Sequence, residues 1–301
     1  MAACIFIAMY VKHELSYDKH FPNSERIFRV ANYLKFADNE FNLPTAPDPF
    51  AKTVQEEFPE VVRAGRTRGN TSMLIRVGDQ YFQQPRITWA DQEFMDIFRF
   101  SLISGDKAHL LDEPNTVVLE ESTARKFFGN EDPIGQTIRV DNTTDMKVTG
   151  VIADIPENTH FDYDMFISML NREAARQNFW LSNNFVTYVE LQNPDQQAAF
   201  DGKMLDFLIK HMGQQVQQFM GADMQEGLDA GAMDRAGVRL LAELLGAHVG
   251  GLTLPVAVRE GRLGDGGQGL GGLAGHRLEV QDPREDTNLG GVVGQVGRDA
   301  D

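Results

Sequence analysis

The spacing of apolar and charged residues over positions 117–140 predicts a strand, a helix, a loop and a second strand, in that order. An apolar run opens the segment, as in a buried strand. Acidic residues then precede basic ones, which matches the charge preference of the two ends of a helix. Phe127 and Phe128 continue the apolar face of that helix. Gly129 predicts its end, and a loop containing proline and glycine leads into a strand over residues 137–140.

Elsewhere the sequence predicts shorter helices and strands. Asp48 and Pro49 predict the cap and first position of a helix that ends at Pro59. Asn193 and Pro194 open a later helix, whose inner face is Phe200, Met204, Phe207 and Leu208. The predicted strands are 26–36, 73–77, 81–83 and 86–89, and a short helix covers 93–98. Strands and helices alternate without a regular βαβ period, which favours an α+β fold over a doubly wound sheet.

Composition excludes several classes of function. The formal net charge is −16, so nucleic acid is an unfavourable partner. Cys4 is the single cysteine, so there is no internal disulfide. It lies in an apolar run, where a catalytic nucleophile is not expected. The sequence has no G-x-x-x-x-G-K-[ST] loop for an ATPase and no G-x-S-x-G elbow for a serine hydrolase.

Several segments, in the same order, resemble the periplasmic core domain of MacB-type (FtsX/MacB-like) ABC transporter permeases. The helix ending in "FFG" and the "DPIG" loop after it carry the resemblance most strongly, and further segments match between about residues 2 and 220. These further segments are "YVKHELSYDKHFPNSERIFRV", "EEFPEVVRAGR", "KVTGVIADIPENTHFDYDMFIS" and "NFVTYVEL". The residues taken as the structural signature of the family are Phe127, Phe128, Gly129, Asp132, Pro133 and Gly135.

The resemblance implies an α+β fold of mixed strands and short helices in two subdomains, one inserted in the other. The expected domains are the outer half of a membrane helix and a stalk over 1–20, a core over 21–225 with an insertion at about 71–145, and a glycine-rich tail over 226–301. It also implies an ATPase subunit and a second permease copy as partners, and a place on the periplasmic side of the bacterial inner membrane. No catalytic residue, cofactor or metal is expected.

The N-terminal eleven residues are continuously apolar, about half of the twenty that a membrane-spanning helix needs. A buried N-terminal helix is one interpretation. The resemblance favours another, the outer half of a membrane helix whose first half is missing, with Tyr10 near the membrane–water interface. A signal peptide fits poorly, because no basic region precedes the run.

The composition changes after about Glu226, where glycine becomes frequent and lysine and aromatic residues disappear. Such sequence cannot easily offset the entropy of ordering its backbone. Two interpretations of this segment stay open, a natural disordered tail and the product of a frameshift, and the frameshift is favoured. Residues 239–249 could form a short helix, and the G-x-G-x-x-G spacings at 264–272 are expected by chance in a glycine-rich stretch.

His160, Asp162 and Asp164 alternate in "HFDYD" and would share one face of a strand. Imidazole and carboxylate could ligate a metal, but a solvated strand face is the favoured interpretation. Two classes of function stay open: the extracytoplasmic domain of a permease, without bond chemistry of its own, or a soluble α+β binding module or small enzyme. A full membrane helix encoded upstream would decide for the permease.

Overall fold

A computed structural model describes residues 2–14, 16–36, 39–221, 223, 224, 226 and 238–241. Its helices are α1 (Ala2–Glu14), α2 (Phe50–Glu57), α3 (Gln92–Phe98), α4 (Glu121–Phe128) and α5 (Gln197–Met220). The strands are β1 (Ile27–Phe36), β2 (Asn39–Leu43), β3 (Val61–Val77), β4 (Gln80–Ala90), β5 (Leu102–Gly105), β6 (Thr116–Glu120), β7 (Thr137–Val140), β8 (Thr144–Ile152), β9 (Met165–Ser168), β10 (Val186–Leu191) and β11 (Val238–Leu241). The predicted α+β class is confirmed.

The described strands form one mixed sheet in the order β11-β1-β10-β3-β4-β9-β6-β8-β5, with β2 paired to β1 and β7 paired to β3 and β8. The pairs β4–β9 and β6–β8 are parallel, and the other pairs are antiparallel. Neighbouring strands in this order are often distant in the sequence, so long-range pairing holds the fold together.

Alternation along β10 shows how the sheet separates two cores. Val189 and Leu191 pack with α2 and α5, while Tyr188 points to the opposite face and packs with α3. A third cluster surrounds α4, whose Phe127 and Phe128 are buried. Each core therefore contains one or two helices laid on the sheet, as the two-layer rule for domains leads one to expect.

Helix α3 lies very close to the sheet at Gly65. A Cβ atom built on Gly65 would lie 2.4 Å from the backbone nitrogen of Phe94, so only glycine fits there. This contact places α3 against β3 and brings its last residues toward the end of β10.

The order of elements predicted over residues 117–140 is confirmed. Strand β6, helix α4 and strand β7 follow one another, and Gly129 ends α4 with a φ of +63°. The helix predicted over 93–98 and the strand over 26–36 are also found. The later helix begins through a short 3-10 turn, where Asn193 and Gln196 form a capping box ahead of α5.

Three predicted details are wrong. Helix α2 begins at Phe50 with Pro49 at the capping position, and the buried Asp48 carboxylate accepts a hydrogen bond from Asn184 instead. The three short strands are parts of two long ones, β3 and β4, because pairing to each other and to β10, β7 and β9 extends them. Residues 239–241 belong to β11, which pairs with β1, and are not helical.

The remaining residues of that predicted helix lie outside the described residues, as do the glycine-rich spacings at 264–272 and most of the predicted tail. The division into a core with an inserted subdomain at about 71–145 stays a prediction.

Candidate functional site: the junction between the N-terminal helix and the sheet

Helix α1 exposes large apolar side chains on every side. Ile5, Phe6 and Ile7 are 60%, 71% and 63% exposed, and Met9 and Val11 are exposed as well. Consecutive helical residues point about 100° apart, so this surface is not the single stripe of an ordinary surface helix. No helix in the described ranges has both the length and the apolar character needed to cross a membrane.

The segment that follows α1, residues 16–26, is called the junction here, and it is attached to the domain at three points. The first is Asp18, which is 2% exposed. Its Oδ1 accepts hydrogen bonds from Thr159 Oγ1 at 2.6 Å and from the His160 backbone nitrogen at 3.1 Å. The His160 ring nitrogen Nδ1 lies 2.9 Å from the same oxygen, at an angle unsuited to a hydrogen bond. The backbone nitrogen of Asp18 donates a hydrogen bond to the Asn158 carbonyl at 3.0 Å.

The second attachment is the ring of Phe21, which is buried in an aromatic cluster. It meets Phe98 at 5.1 Å, Phe161 at 5.6 Å and Phe100 at 5.7 Å between ring centroids, each in an edge-to-face arrangement. Such pairs are worth about 0.5–1.5 kcal/mol each beyond the burial of the ring. Phe21 thus joins the junction to α3 and to the loop before β9.

The third attachment is ionic. Arg26 Nη2 and Asn23 Nδ2 donate to Glu190 Oε1 at 3.0 Å and 3.3 Å, and Arg26 Nη1 donates to the Gln192 carbonyl at 3.0 Å. Glu190 lies on β10 with a fully buried side chain. Arg26 is one of the cations that compensate this buried carboxylate, so removing it weakens the compensation and makes the attachment costly to break.

The buried Tyr188 hydroxyl lies 3.1 Å from His160 Nε2, behind the Asp18 attachment. Burial raises the pKa of Tyr188, so it stays neutral and its hydroxyl acts as a hydrogen-bonding group. The Asp18 carboxylate, the His160 ring and the Tyr188 hydroxyl thus lie next to one another, in that order, from the junction into the core. With Tyr188 in the aromatic core, this arrangement is suited to holding the junction in position.

The "FFG" and "DPIG" residues form a second, locally built unit. Phe127 meets Phe82 at 5.0 Å. Asp132 Oδ1 accepts a hydrogen bond from the Ile134 backbone nitrogen at 3.0 Å, which tightens the turn at Pro133. Gly135 has a φ of +80°, and its nitrogen donates to the Val148 carbonyl at 2.8 Å. The structure places these residues in the core and in a tight loop, and their role as a family signature stays a prediction.

Glu120 connects the start of α4 to the chain after β8. Its Oε1 accepts a hydrogen bond from the Ile155 nitrogen at 2.7 Å, and the Ser122 nitrogen donates to Asp154 at 2.9 Å. Burial, followed by the nearby negative charges of Asp164 and Asp154, raises the pKa of Glu120 to about 7.

The residues of "HFDYD" do not share a strand face, because β9 begins after them, at Met165. His160 contacts the junction, whereas Asp162 and Asp164 bind Arg86 at 3.1 Å and 2.5 Å. Among the residues that the structure describes, no group of three histidine, cysteine, aspartate or glutamate side chains could hold a metal ion.

A cleft of about 740 Å³ opens between α2, the start of α3 and residues 175–178. Arg66 lies at its floor, bound to the Asp91 carboxylate at 2.7 Å and to the carbonyls of Asp48 and Ala175. A guanidinium so fully engaged shapes the cleft and has little capacity left for a ligand.

Sequence reasoning missed the buried roles of Asp18 and Glu190. Glu190 carried a signal, since a lone charge stands between Val189 and Leu191 in an otherwise apolar strand. Such a charge is almost never fully buried unless it is paired. Asp18 carried no comparable signal, because it stands in a polar stretch and its partner Thr159 is 141 residues away.

The sequence profile of the MacB-like periplasmic core domain matches residues 1–206. The chain belongs to this family. The family assignment made from the "FFG" and "DPIG" segment is therefore confirmed.

One relative is the macrolide export ATP-binding/permease protein MacB of Aggregatibacter actinomycetemcomitans, 28% identical over 118 residues. The match covers 37% of this chain and 16% of that protein. The chain therefore corresponds to a small part of that relative's length.

Solved structures that resemble this chain include the following three. A domain assigned to a permease protein from Porphyromonas gingivalis has a TM-score of 0.59 and 24% identity, over 74% of this chain and 90% of that one. It supports the fold alone. Two other structures are more distant. The periplasmic region of MacB from Actinobacillus actinomycetemcomitans has a TM-score of 0.43 and 14% identity, over 62% of this chain and 84% of that one. The extracellular domain of the ABC-type transporter YknZ from Gram-positive bacteria has a TM-score of 0.44 and 12% identity, over 71% of this chain and 99% of that one.

Proposed function

We propose that this MacB-like periplasmic core domain is the extracytoplasmic part of an ABC transporter permease on the periplasmic side of the bacterial inner membrane. In this proposal α1 is the outer part of a membrane helix, and the junction carries its movement into the sheet. A separate ATPase supplies the energy, and a second permease copy completes the assembly. The domain itself performs no bond chemistry.

The observation that carries the proposal is the connection of a helix that is apolar through Val11 to a firmly attached junction. Transfer of an exposed large apolar side chain out of water is worth about 1.5–3 kcal/mol. For the six large side chains of α1 between Ile5 and Val11 that are exposed by 45% or more, this amounts to on the order of 10 kcal/mol. Water is thus an unfavourable surrounding for α1, and a lipid or helical surrounding is favourable.

The attachments explain how movement would pass onward. Asp18 binds the loop before β9, Phe21 binds α3, and Arg26 binds β10. A displacement of the junction therefore acts on three parts of the domain at once: a loop, a helix and a strand. A flexible tether with no buried contacts would dissipate the same displacement.

Lipid insertion of α1 can be measured through Cys4, the only cysteine in the chain. We expect a polarity-sensitive fluorophore on Cys4 to shift to shorter wavelength on liposomes and to be quenched by lipids that carry a spin label in the acyl chain. The matched control is Cys4→Ser with Asp79→Cys, because Asp79 lies in the exposed turn between β3 and β4. Equal, weak quenching at both positions would contradict the proposal and favour a soluble binding module.

A further inference from the structure

Three arginines converge on one carboxylate at the end of β10. Arg26 and Arg99 each place Nη2 3.0 Å from Glu190 Oε1, and Arg63 Nη1 lies 3.6 Å from Oε2. The side chain of Glu190 is fully buried, whereas those of Arg26, Arg63 and Arg99 are 26%, 38% and 27% exposed. The guanidinium groups thus cover the carboxylate and face solvent themselves. The three arginines are called the arginine cluster below.

The elements of the fold bring these residues together from separate parts of the sequence. Ile27 and Arg63 are the partners of Glu190 on the two strands that flank it, β1 and β3, and Arg26 directly precedes Ile27. Arg99 follows α3, in a left-handed conformation with a φ of +50°. The close approach of α3 to the sheet at Gly65 therefore delivers the third arginine.

The charges of the cluster do not balance. Three guanidinium groups carry three positive charges, and Glu190 supplies one negative charge among the ion pairs of the described residues. The chain as a whole has 28 basic and 44 acidic residues, so a local positive excess is unusual here. The excess lies on the side of the cluster that faces solvent.

The cluster also has donor capacity to spare. A guanidinium has five N–H groups in a rigid fork. In the contacts described, Arg63 meets Glu190 only at 3.6 Å, beyond a good hydrogen bond, and Arg99 uses a single nitrogen, Nη2, toward it. Arg63 and Arg99 therefore hold unused donors next to each other, since both approach the same carboxylate oxygen, Glu190 Oε2.

We propose that the arginine cluster binds a phosphate group. Guanidinium forks match the paired oxygens of phosphate, and charge-assisted hydrogen bonds of this kind are strong. Glu190 holds the three forks in place from beneath and, through its own negative charge, keeps the affinity moderate. A lipid headgroup and free phosphate offer the same chemistry.

The test titrates the full chain, in nonionic detergent at constant ionic strength, with inorganic phosphate and follows the heat of binding. We expect saturable binding in the wild type and at least tenfold weaker binding in Arg63→Gln and Arg99→Gln. Arg63 makes the loosest contact, so its loss should leave the urea midpoint nearly unchanged. The matched control is Arg125→Gln, an arginine 67% exposed and paired with Glu121, which should bind phosphate within twofold of wild type.

Absence of phosphate binding in the wild type, or equal binding in Arg63→Gln and wild type, would overturn the proposal. So would a loss in Arg125→Gln as large as that in Arg63→Gln. Flotation with vesicles then identifies the source of the phosphate. If a lipid supplies it, Arg63→Gln loses the preference of the wild type for phosphatidylglycerol over phosphatidylcholine vesicles. If free phosphate is the ligand, both proteins float alike while the titration difference remains.

Discussion

Replacing Phe127 by alanine should reveal how much the "FFG" helix contributes to stability. The ring is 5% exposed and packs against Phe82 at 5.0 Å and Phe128 at 6.3 Å between centroids. Removing a buried phenylalanine ring costs about 3–5 kcal/mol, because transfer and cavity terms add. Of this, about 0.5–1.5 kcal/mol reflects each aromatic pair. We therefore expect Phe127→Ala to lower the free energy of unfolding by about 4 kcal/mol.

The assay is urea unfolding of the full chain followed by far-ultraviolet circular dichroism. Tyr81→Ala is the matched control, since that ring is 57% exposed and surface substitutions usually stay within about 0.5 kcal/mol. If Phe127→Ala and Tyr81→Ala unfold at the wild-type midpoint, the helix is not a structural anchor. The segment would then be better understood as a contact surface for a partner.

A substitution at Gly129 tests the backbone conformation at the end of α4, separately from the burial of the aromatic rings. A Cβ atom built there meets nothing within 4 Å, so Gly129→Ala changes the conformational cost alone. With φ +63° and ψ −113°, that cost should be about 1–3 kcal/mol. Gly202 in α5 has equally open space and no positive φ, so Gly202→Ala should instead stabilise by about 0.5–1 kcal/mol. Equal shifts in both variants would refute the reasoning.

Two further predictions concern buried carboxyl groups. The pKa of Glu120 rises from 4.5 to about 7 on folding, so the folded state binds a proton that the unfolded state releases. The free energy of unfolding should therefore fall as the pH rises from about 4.5 to 7. The urea midpoint of Glu120→Gln should fall less over this range than that of the wild type. Identical pH profiles of the two proteins would contradict this reasoning. Asp18→Ala leaves the hydrogen-bond donors of Thr159 and His160 without their acceptor. Each unsatisfied buried donor should lower the free energy of unfolding by about 1–3 kcal/mol. A wild-type urea midpoint for Asp18→Ala would show that this attachment is unimportant.

The sequence predicted most accurately where the information is local. In residues 117–140 the helix ends are marked by charges of the correct sign, and Gly129 marks the stop, so neighbours along the chain determine the structure. The later helix was predicted equally well from Asn193, whose capping box is formed within four residues. The family assignment rested most strongly on residues 117–140.

Long-range contacts account for the errors. The carboxylate of Asp48 was expected to cap α2, but Asn184, 136 residues away, binds it. Asp162 and Asp164 were expected on one strand face, but both bind Arg86 from β4. A sequence pattern cannot identify partners that only the sheet order brings together.

The junction illustrates the same limit. The charge of Glu190 was visible in an apolar strand, yet its partners Arg26, Arg63 and Arg99 come from three other elements. The sequence could indicate that Glu190 needs a partner. It could not indicate that three would be supplied, or that one of them would belong to the segment after α1.

The central claim, that the junction couples α1 firmly to the sheet, is tested most directly by a distance measurement between two spin labels in liposomes. One label is attached to Cys4 in α1 and the other to Asp79→Cys in the β3–β4 turn. We predict a narrow distance distribution in the otherwise wild-type chain and a clearly broader one after Asp18→Ala and Phe21→Ala remove two attachments. Equal widths in the two proteins, or a broad distribution in both, would contradict the account.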